Sequence, residues 1–173
     1  MIKAYLYLNK INNYIQKFNG IAAAILLILL AIIVNMRVFT RNIMNFTYPW
    51  VDQGSLFLIT WVTFLGAAYG LREKSHISIE FLVNRFPAIV RKIIEYIIVI
   101  AIMLVAFYVL MIEGFDFVTD FMDQRIPTLG IRVGFSYLAI PVSGALMIVY
   151  SIELLLEMVI KDVKGEEVLK KDD

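Results

Sequence analysis

Cysteine is absent from these 173 residues, and histidine occurs once, at position 76. The lack of cysteine excludes disulfide bonds, thiolate nucleophiles and cysteine-ligated metal sites. A metal site would need further ligands at coordinating spacing around His76, and none is evident. We therefore interpret His76 as a structural or capping residue rather than a metal ligand or a proton relay. The sequence predicts no catalytic residue, no metal site and no cofactor.

Charged residues are missing from four stretches that cut the chain at nearly even intervals. A helix of about 20 residues spans about 30 Å, the thickness of the hydrocarbon core of a bilayer. Hydrophobic residues make up 61% of the chain and its mean hydropathy is +0.79. Both values lie well above those of soluble globular proteins. The uncharged stretches are 18–36, 53–71, 96–112 and 133–152.

These stretches predict an all-α integral membrane protein with one membrane domain over residues 1–173. The first apolar run is long for a signal peptide and lacks a cleavage motif, so we expect an uncleaved first helix. Short amphipathic helices are expected at the membrane surface, one before Pro49 and one around 77–86. The four transmembrane helices are predicted at about 14–36, 53–71, 88–115 and 133–157.

Lysine and arginine alternate in density between the segments that flank these helices. The N-terminal segment, the second loop and the C-terminal segment hold three, five and four of them, whereas the first and third loops hold two each. Basic residues collect on the cytoplasmic side of membrane proteins. We therefore expect a multi-pass protein of the bacterial inner membrane with both termini in the cytoplasm.

No predicted span carries a charge in its central half, where an ion-coupled carrier normally needs one. Glu153 and Glu157 lie one helical turn apart, but we expect them at the water edge of the fourth helix, where a charge costs little. The sequence shows no internal repeat with broken half-helices. By elimination, this pattern favours an accessory or scaffold subunit over an independent transporter or an enzyme.

Small and kinking residues mark the faces on which we expect helices to pack. Gly66 and Gly70 form a small-xxx-small pair that allows close helix approach, either within this chain or against another subunit. A proline in the middle of the fourth helix is expected to kink it. The packing or subunit-interface candidates are Gly66, Gly70, Pro141 and Gly144.

Other residues are candidates for contact with lipid or with an external partner. Tryptophans suit the membrane interface and basic side chains suit anionic head groups. Exposed acids in the outer loops form either a solvated charged face or part of a docking surface for an external partner. The candidates for lipid contact and anchoring are Trp50, Trp61, Arg72, Arg85, Arg91 and Lys92. The candidates for docking are Asp52, Asp116 and Asp120.

Several short motifs, in order along the helices, resemble one known family. Residues 61–68 read WVTFLGAA and are followed by Arg72, by HISIE at 76–80 and by Phe86-Pro87. Residues 37–39 read RVF, 127–131 read PTLGI and 137–141 read YLAIP. Together they resemble the DctQ-like small membrane subunit of tripartite ATP-independent periplasmic (TRAP) transporters. The family's frequent second acid before the second helix is replaced here by Gln53.

The resemblance implies partners and a function. Such transporters pair a periplasmic substrate-binding protein with this small subunit and a large elevator-type membrane subunit, which is expected to hold the sodium and substrate sites. Substrates are typically organic acids such as C4-dicarboxylates or sialic acid. The expected partners are therefore the large subunit, the binding protein and phospholipids, with no nucleic acid. The alternative is an independent small transporter acting as a homodimer.

Overall fold

A computed structural model describes residues 2–46, 48–73 and 87–169. The four predicted spans are confirmed as four long apolar helical segments, each long enough to cross a membrane. Apart from one isolated backbone bridge, the described residues contain no β-structure. The helices are α1 (Ile2–Ile43), α2 (Pro49–Arg72), α3 (Ala88–Val105), a π-helical segment (Ala106–Glu113), α4 (Gly114–Asp120), α5 (Gly134–Tyr137) and α6 (Ala139–Leu169).

The first helix is much longer than its uncharged stretch. It covers 42 residues and runs through Arg37 and Arg41 to Ile43 without a break. The expectation of a separate surface helix before Pro49 was therefore wrong, because no proline interrupts the helix before that point. Pro49 instead starts α2, where its missing N–H is not needed. The second predicted surface helix, together with His76 and Arg85, lies outside the described residues.

The fourth span, formed by α5 and α6, occupies the centre of the arrangement. α6 packs against α1, α2, α3 and the π-helical segment, while α1 and α2 form an antiparallel pair beside it. The third span, from α3 to α4, packs on the fourth and makes no extensive contact with α1 or α2 in the described part of the chain. The order across the arrangement is thus α1, α2, the fourth span and the third span, which leaves broad apolar faces uncovered.

The third and fourth spans approach closely where a glycine of one span faces a larger side chain of the other. A Cβ on Gly144 would lie 2.7 Å from Leu110 Cβ and 3.2 Å from the Ala106 carbonyl oxygen. A Cβ on Gly114 would lie 2.8 Å from Ile140 Cγ2. The π-helical segment therefore lies against the part of α6 around Pro141, which is itself buried. Gly144 has no room for a side chain.

Residues 121–133 connect the third span to the fourth. Ile126 N–H donates to the Ile131 carbonyl at 2.8 Å, and Val133 N–H donates to the Gln124 carbonyl at 2.9 Å. Gly130 closes the turn with a φ of 68°, a conformation that favours glycine. We call residues 124–133 the hairpin, and the end of the molecule that carries it the hairpin end.

Candidate functional site

The end opposite the hairpin holds a buried polar cluster that joins three helices. Arg72 is the last residue of α2, where the helix dipole favours a cation. Its side chain is 8% exposed and forms a salt bridge with Glu153 of α6, whose side chain is 6% exposed. Amide side chains of α1 complete the cluster. We call Asn9, Asn12, Asn13, Gln16, Arg72 and Glu153 the polar clamp, and this end of the molecule the clamp end.

The Arg72 guanidinium uses all five of its N–H groups. Its Nε donates to Glu153 Oε2 at 2.9 Å, and its Nη2 donates to Glu153 Oε1 and to Asn13 Oδ1, both at 2.8 Å. Its Nη1 donates to the Asn12 carbonyl at 3.1 Å and also to Gln16 Oε1. The two bonds to Glu153 form a bidentate pair, the strongest arrangement of these groups.

Glu153 is satisfied as completely as its partner. Besides the two bonds from Arg72, its Oε1 accepts a bond from Asn9 Nδ2 at 3.0 Å, and its Oε2 accepts one from Asn12 Nδ2 at 2.7 Å. A buried ion pair compensates for lost hydration only when its remaining donors and acceptors are also paired. That condition is met here, so the clamp fixes the C-terminal end of α2 and the N-terminal part of α1 against the middle of α6.

A stripe of amides along α1 supplies the neutral half of the clamp. Asn9, Asn12, Asn13, Gln16 and Asn19 follow the i, i+3, i+4 spacing of one helical face. Asn19 is 3% exposed and donates to the Leu65 carbonyl of α2 at 3.2 Å, one turn deeper than the clamp. This stripe is visible in the sequence, and it was the signal that could have located the clamp.

An apolar layer lies directly beneath the clamp. Tyr150 is fully buried, and the Arg72 guanidinium carbon lies 5.6 Å from the centre of its ring, within cation–π range. Ala68 and Leu71 of α2 pack with Tyr150 to form the core cluster of the described residues. The polar clamp and this layer together restrain α2 against α6.

A polar cleft of about 260 Å³ opens beside the clamp, between Glu73, Glu157 and the clamp side chains. Gln16 Nε2 donates to Glu73 Oε1 at its rim, at 2.6 Å. The described residues contain no group of three or more histidines, aspartates or glutamates placed to hold a metal ion. Because Arg72 and Glu153 are already fully paired, the clamp is suited to holding helices together rather than to transferring protons.

Two exposed ion pairs connect helices elsewhere. At the clamp end, Lys92 Nζ lies 2.6 Å from Asp162 Oδ1, and Tyr96 donates to Asp162 Oδ2 at 3.2 Å, which links α3 to α6. At the opposite end, Arg37 Nε lies 2.7 Å from Asp52 Oδ1 and links α1 to α2. The structure thus places Asp52 in a contact within the chain.

The small residues singled out in the sequence fall into two groups. Pro141 and Gly144 are buried and pack inside the chain against the third span. A Cβ added to Gly66 or Gly70 would meet no described atom within 4 Å. The small face of α2 is therefore not used for close packing between the described helices.

The remaining candidates within the described residues lie wholly or partly at the surface, with one exception. The Arg72 side chain lies inside the chain rather than on a lipid-facing surface. Trp50 is 38% exposed, and Trp61 Nε1 donates to the Phe135 carbonyl at 3.2 Å. Asp116 and Asp120 are exposed near the end of the third span. Arg91 pairs with Glu95 one turn away, at 2.9 Å.

Comparison with known proteins places this architecture in a family. Residues 30–161 match the family described as tripartite ATP-independent periplasmic transporters, DctQ component. The chain belongs to the DctQ family. The family is a transporter component rather than an enzyme family, and membership implies association with a large membrane subunit and a binding protein. Family membership and the four apolar helices together establish a multi-pass membrane protein.

Two relatives agree with this DctQ assignment. A Haemophilus influenzae protein assigned as a TRAP transporter small permease protein is 29% identical over 156 residues, which cover 89% of this chain and 95% of that protein. A Vibrio cholerae protein, the C4-dicarboxylate TRAP transporter small permease protein DctQ, is 29% identical over 90 residues, 51% of this chain and 38% of that protein. The DctQ match includes Arg72 and Glu153 but begins after the amide stripe of α1.

Proposed function

We propose that this DctQ chain is the fixed small subunit of a sodium-coupled, binding-protein-dependent importer, and that it packs against a separate, elevator-type large membrane subunit. The observation that carries the proposal is the unoccupied small face of α2 around Gly66 and Gly70. Glycines at this spacing let a neighbouring helix approach closely, yet no described helix of this chain does so. A helix of the large subunit is the occupant that the proposal requires.

Rigidity at the clamp end supports a scaffold role. An elevator carrier moves its substrate against a part that stays still, so the stationary part needs helices that do not shift relative to one another. The polar clamp restrains three helices, and the Lys92–Asp162 pair attaches α3 to one of them, α6. These restraints suit a subunit that belongs to the stationary part of the transporter.

The distribution of basic residues supports an inner-membrane orientation with the clamp end in the cytoplasm. Among the described residues, most lysines and arginines lie toward the clamp end. In this orientation Arg91 and Lys92 would face anionic head groups at the inner leaflet, while Trp50 and Trp61 would anchor the opposite side. Asp116 and Asp120 would then face the periplasm, where a substrate-binding protein could dock.

Family resemblance supports the substrate class that we propose. The Vibrio cholerae relative is named for C4-dicarboxylate transport, and the family more widely carries organic acids, among them sialic acid. We assign the present chain to a transporter of this class. The chain itself contributes no substrate site in this account.

Leucine substitutions on the small face of α2, compared with leucine substitutions on an exposed face of α1, test the packing proposal. Gly66→Leu/Gly70→Leu should lower the yield of complex recovered when the tagged large subunit is purified from membranes. Ala24→Leu/Ala31→Leu, which changes two exposed small residues of α1, is the matched control and should leave the yield unchanged. An unchanged yield for the α2 variant, with both variants inserted at normal levels, would refute the assignment of this face.

A further inference from the structure

The hairpin carries two arginines directly opposite each other. Arg125 and Arg132 form an isolated antiparallel bridge. The two backbone hydrogen bonds flank the pair. On the turn side, Ile126 N–H donates to the Ile131 carbonyl, and on the other side Val133 N–H donates to the Gln124 carbonyl. This pattern defines a non-hydrogen-bonded pair, in which the two Cα atoms are about 4.5 Å apart and the side chains are closest.

The two guanidinium groups leave the hairpin on its solvent side. Opposite residues of an antiparallel pair point to the same face, and neighbouring residues point to the other. Ile126 is 8% exposed and faces the protein. Arg125 and Arg132 are exposed, and neither makes an ion pair or a side-chain hydrogen bond with any described residue.

Like charges placed directly across a strand pair destabilise the pair, so this arrangement has a cost in the isolated chain. The hairpin that imposes it is firmly held. A Cβ on Gly134 would lie 2.9 Å from the Val118 carbonyl oxygen, and Phe117, Phe121 and Tyr137 stack at its base with ring centres 4.7 to 5.2 Å apart. The two arginines are therefore held side by side by the fold.

From this geometry we infer that Arg125 and Arg132 together bind a surface carboxylate of the soluble substrate-binding protein. Two adjacent guanidinium groups match the two oxygens of a carboxylate, and the anion removes the repulsion between them. The identity of the partner rests on the proposed function and orientation. The pair is distinct from the exposed aspartates of the third span, which would contact basic groups.

The height of the hairpin favours a soluble partner over a lipid head group. The uncharged part of the third span ends at Ile112, and the hairpin base lies at the level of Val118, six residues further along the helix. Six helical residues rise about 9 Å. The head-group layer adds only about 5 to 7 Å beyond the hydrocarbon. The arginines thus stand at or above the outer limit of the head groups.

The test uses the intact complex of small and large subunits in nanodiscs, with the transporter's own binding protein as the probe. Affinity is measured at two salt concentrations for the unaltered complex and for R125Q/R132Q. We expect the double variant to bind about three- to tenfold more weakly and with a shallower salt dependence, since exposed charge pairs contribute modestly to affinity and are screened by salt. R41Q removes another exposed arginine at the hairpin end, and it should change neither quantity.

Each other result overturns the inference. Unchanged affinity in R125Q/R132Q, or an equal loss in R41Q, would remove the specific role of the pair. A loss seen only in nanodiscs with anionic lipid, and absent in zwitterionic ones, would make a lipid phosphate the ligand. If the unaltered complex does not bind the binding protein at all, the proposed function fails together with this inference. If the unaltered complex and the R125Q/R132Q complex bind it equally well, only the inference is refuted.

Discussion

Removing one charged partner of the polar clamp should cost more stability than removing both. Arg72→Met leaves the Glu153 carboxylate in a site where its side chain is 6% exposed, without its two strongest donors. Breaking a buried ion pair in this way typically costs about 3–5 kcal/mol. Glu153→Leu should cost a similar amount, because it leaves the Arg72 guanidinium buried with only its neutral partners.

The double variant Arg72→Met/Glu153→Leu removes both charges and fills similar volume. The amides of Asn9 and Asn12 lose their acceptor, and the Asn12 carbonyl, Asn13 Oδ1 and Gln16 Oε1 lose their donor. Each lost bond costs about 1 kcal/mol or less where water can replace it, but no uncompensated charge remains. The double variant should therefore be more stable than either single variant, by at least about 1 kcal/mol. The measurement is a double-mutant cycle on the free energy of unfolding of the purified protein in mixed micelles.

The Arg37–Asp52 pair provides the matched control for this cycle. It also joins two helices at a similar distance, 2.7 Å, but its side chains are 46% and 42% exposed. Its removal should change stability by less than about 1 kcal/mol, because exposed pairs gain little from Coulomb attraction. If the Arg72 and Glu153 variants were additive within about 0.5 kcal/mol, the reasoning about a coupled buried clamp would be refuted.

Three further predictions concern packing, the hairpin turn and the amide stripe. Gly144→Ala should destabilise the protein by about 1–3 kcal/mol in thermal unfolding, because its Cβ would meet Leu110 Cβ at 2.7 Å. Gly66→Ala should be neutral or stabilising, and equal effects of the two variants would contradict the packing of the third span on the fourth. Gly130→Ala should cost about 1–2 kcal/mol because of its φ of 68°, while Gly130→Asn should be better tolerated, and a neutral alanine would argue against the turn. Asn12→Leu, at a fully buried site, should cost about 1–3 kcal/mol, against little for the exposed Asn35→Leu; similar unfolding temperatures for the two would contradict the role of the stripe.

The spans could be predicted from the sequence because the bilayer imposes a length on uncharged helices. Helix ends could not be predicted from the same signal. Charges mark where the hydrocarbon ends, but a helix ends only where its backbone hydrogen bonding stops, as α1 shows by continuing through Arg37 and Arg41. The π-helical segment carries no distinctive composition, and its position against Gly144 depends on a contact between helices that are distant in sequence.

The clamp was missed for a similar reason. Glu153 was expected at the water edge and Arg72 among lipid head groups, since a charge near a helix end is usually solvated. Neither residue reveals its partner when each helix is considered alone. The spacing of the amides on α1 was the available signal, because amides that share one face of a helix and become buried need polar partners.

Uptake in liposomes tests the central claim most directly. Vesicles holding the large membrane subunit, with the binding protein outside, are compared with and without this chain under an inward sodium gradient, using a labelled C4-dicarboxylate or sialic acid. The account predicts uptake only when this chain is present, and none from vesicles that hold this chain alone. Full uptake without it would contradict an obligate scaffold role, and uptake by this chain alone would establish the independent transporter instead.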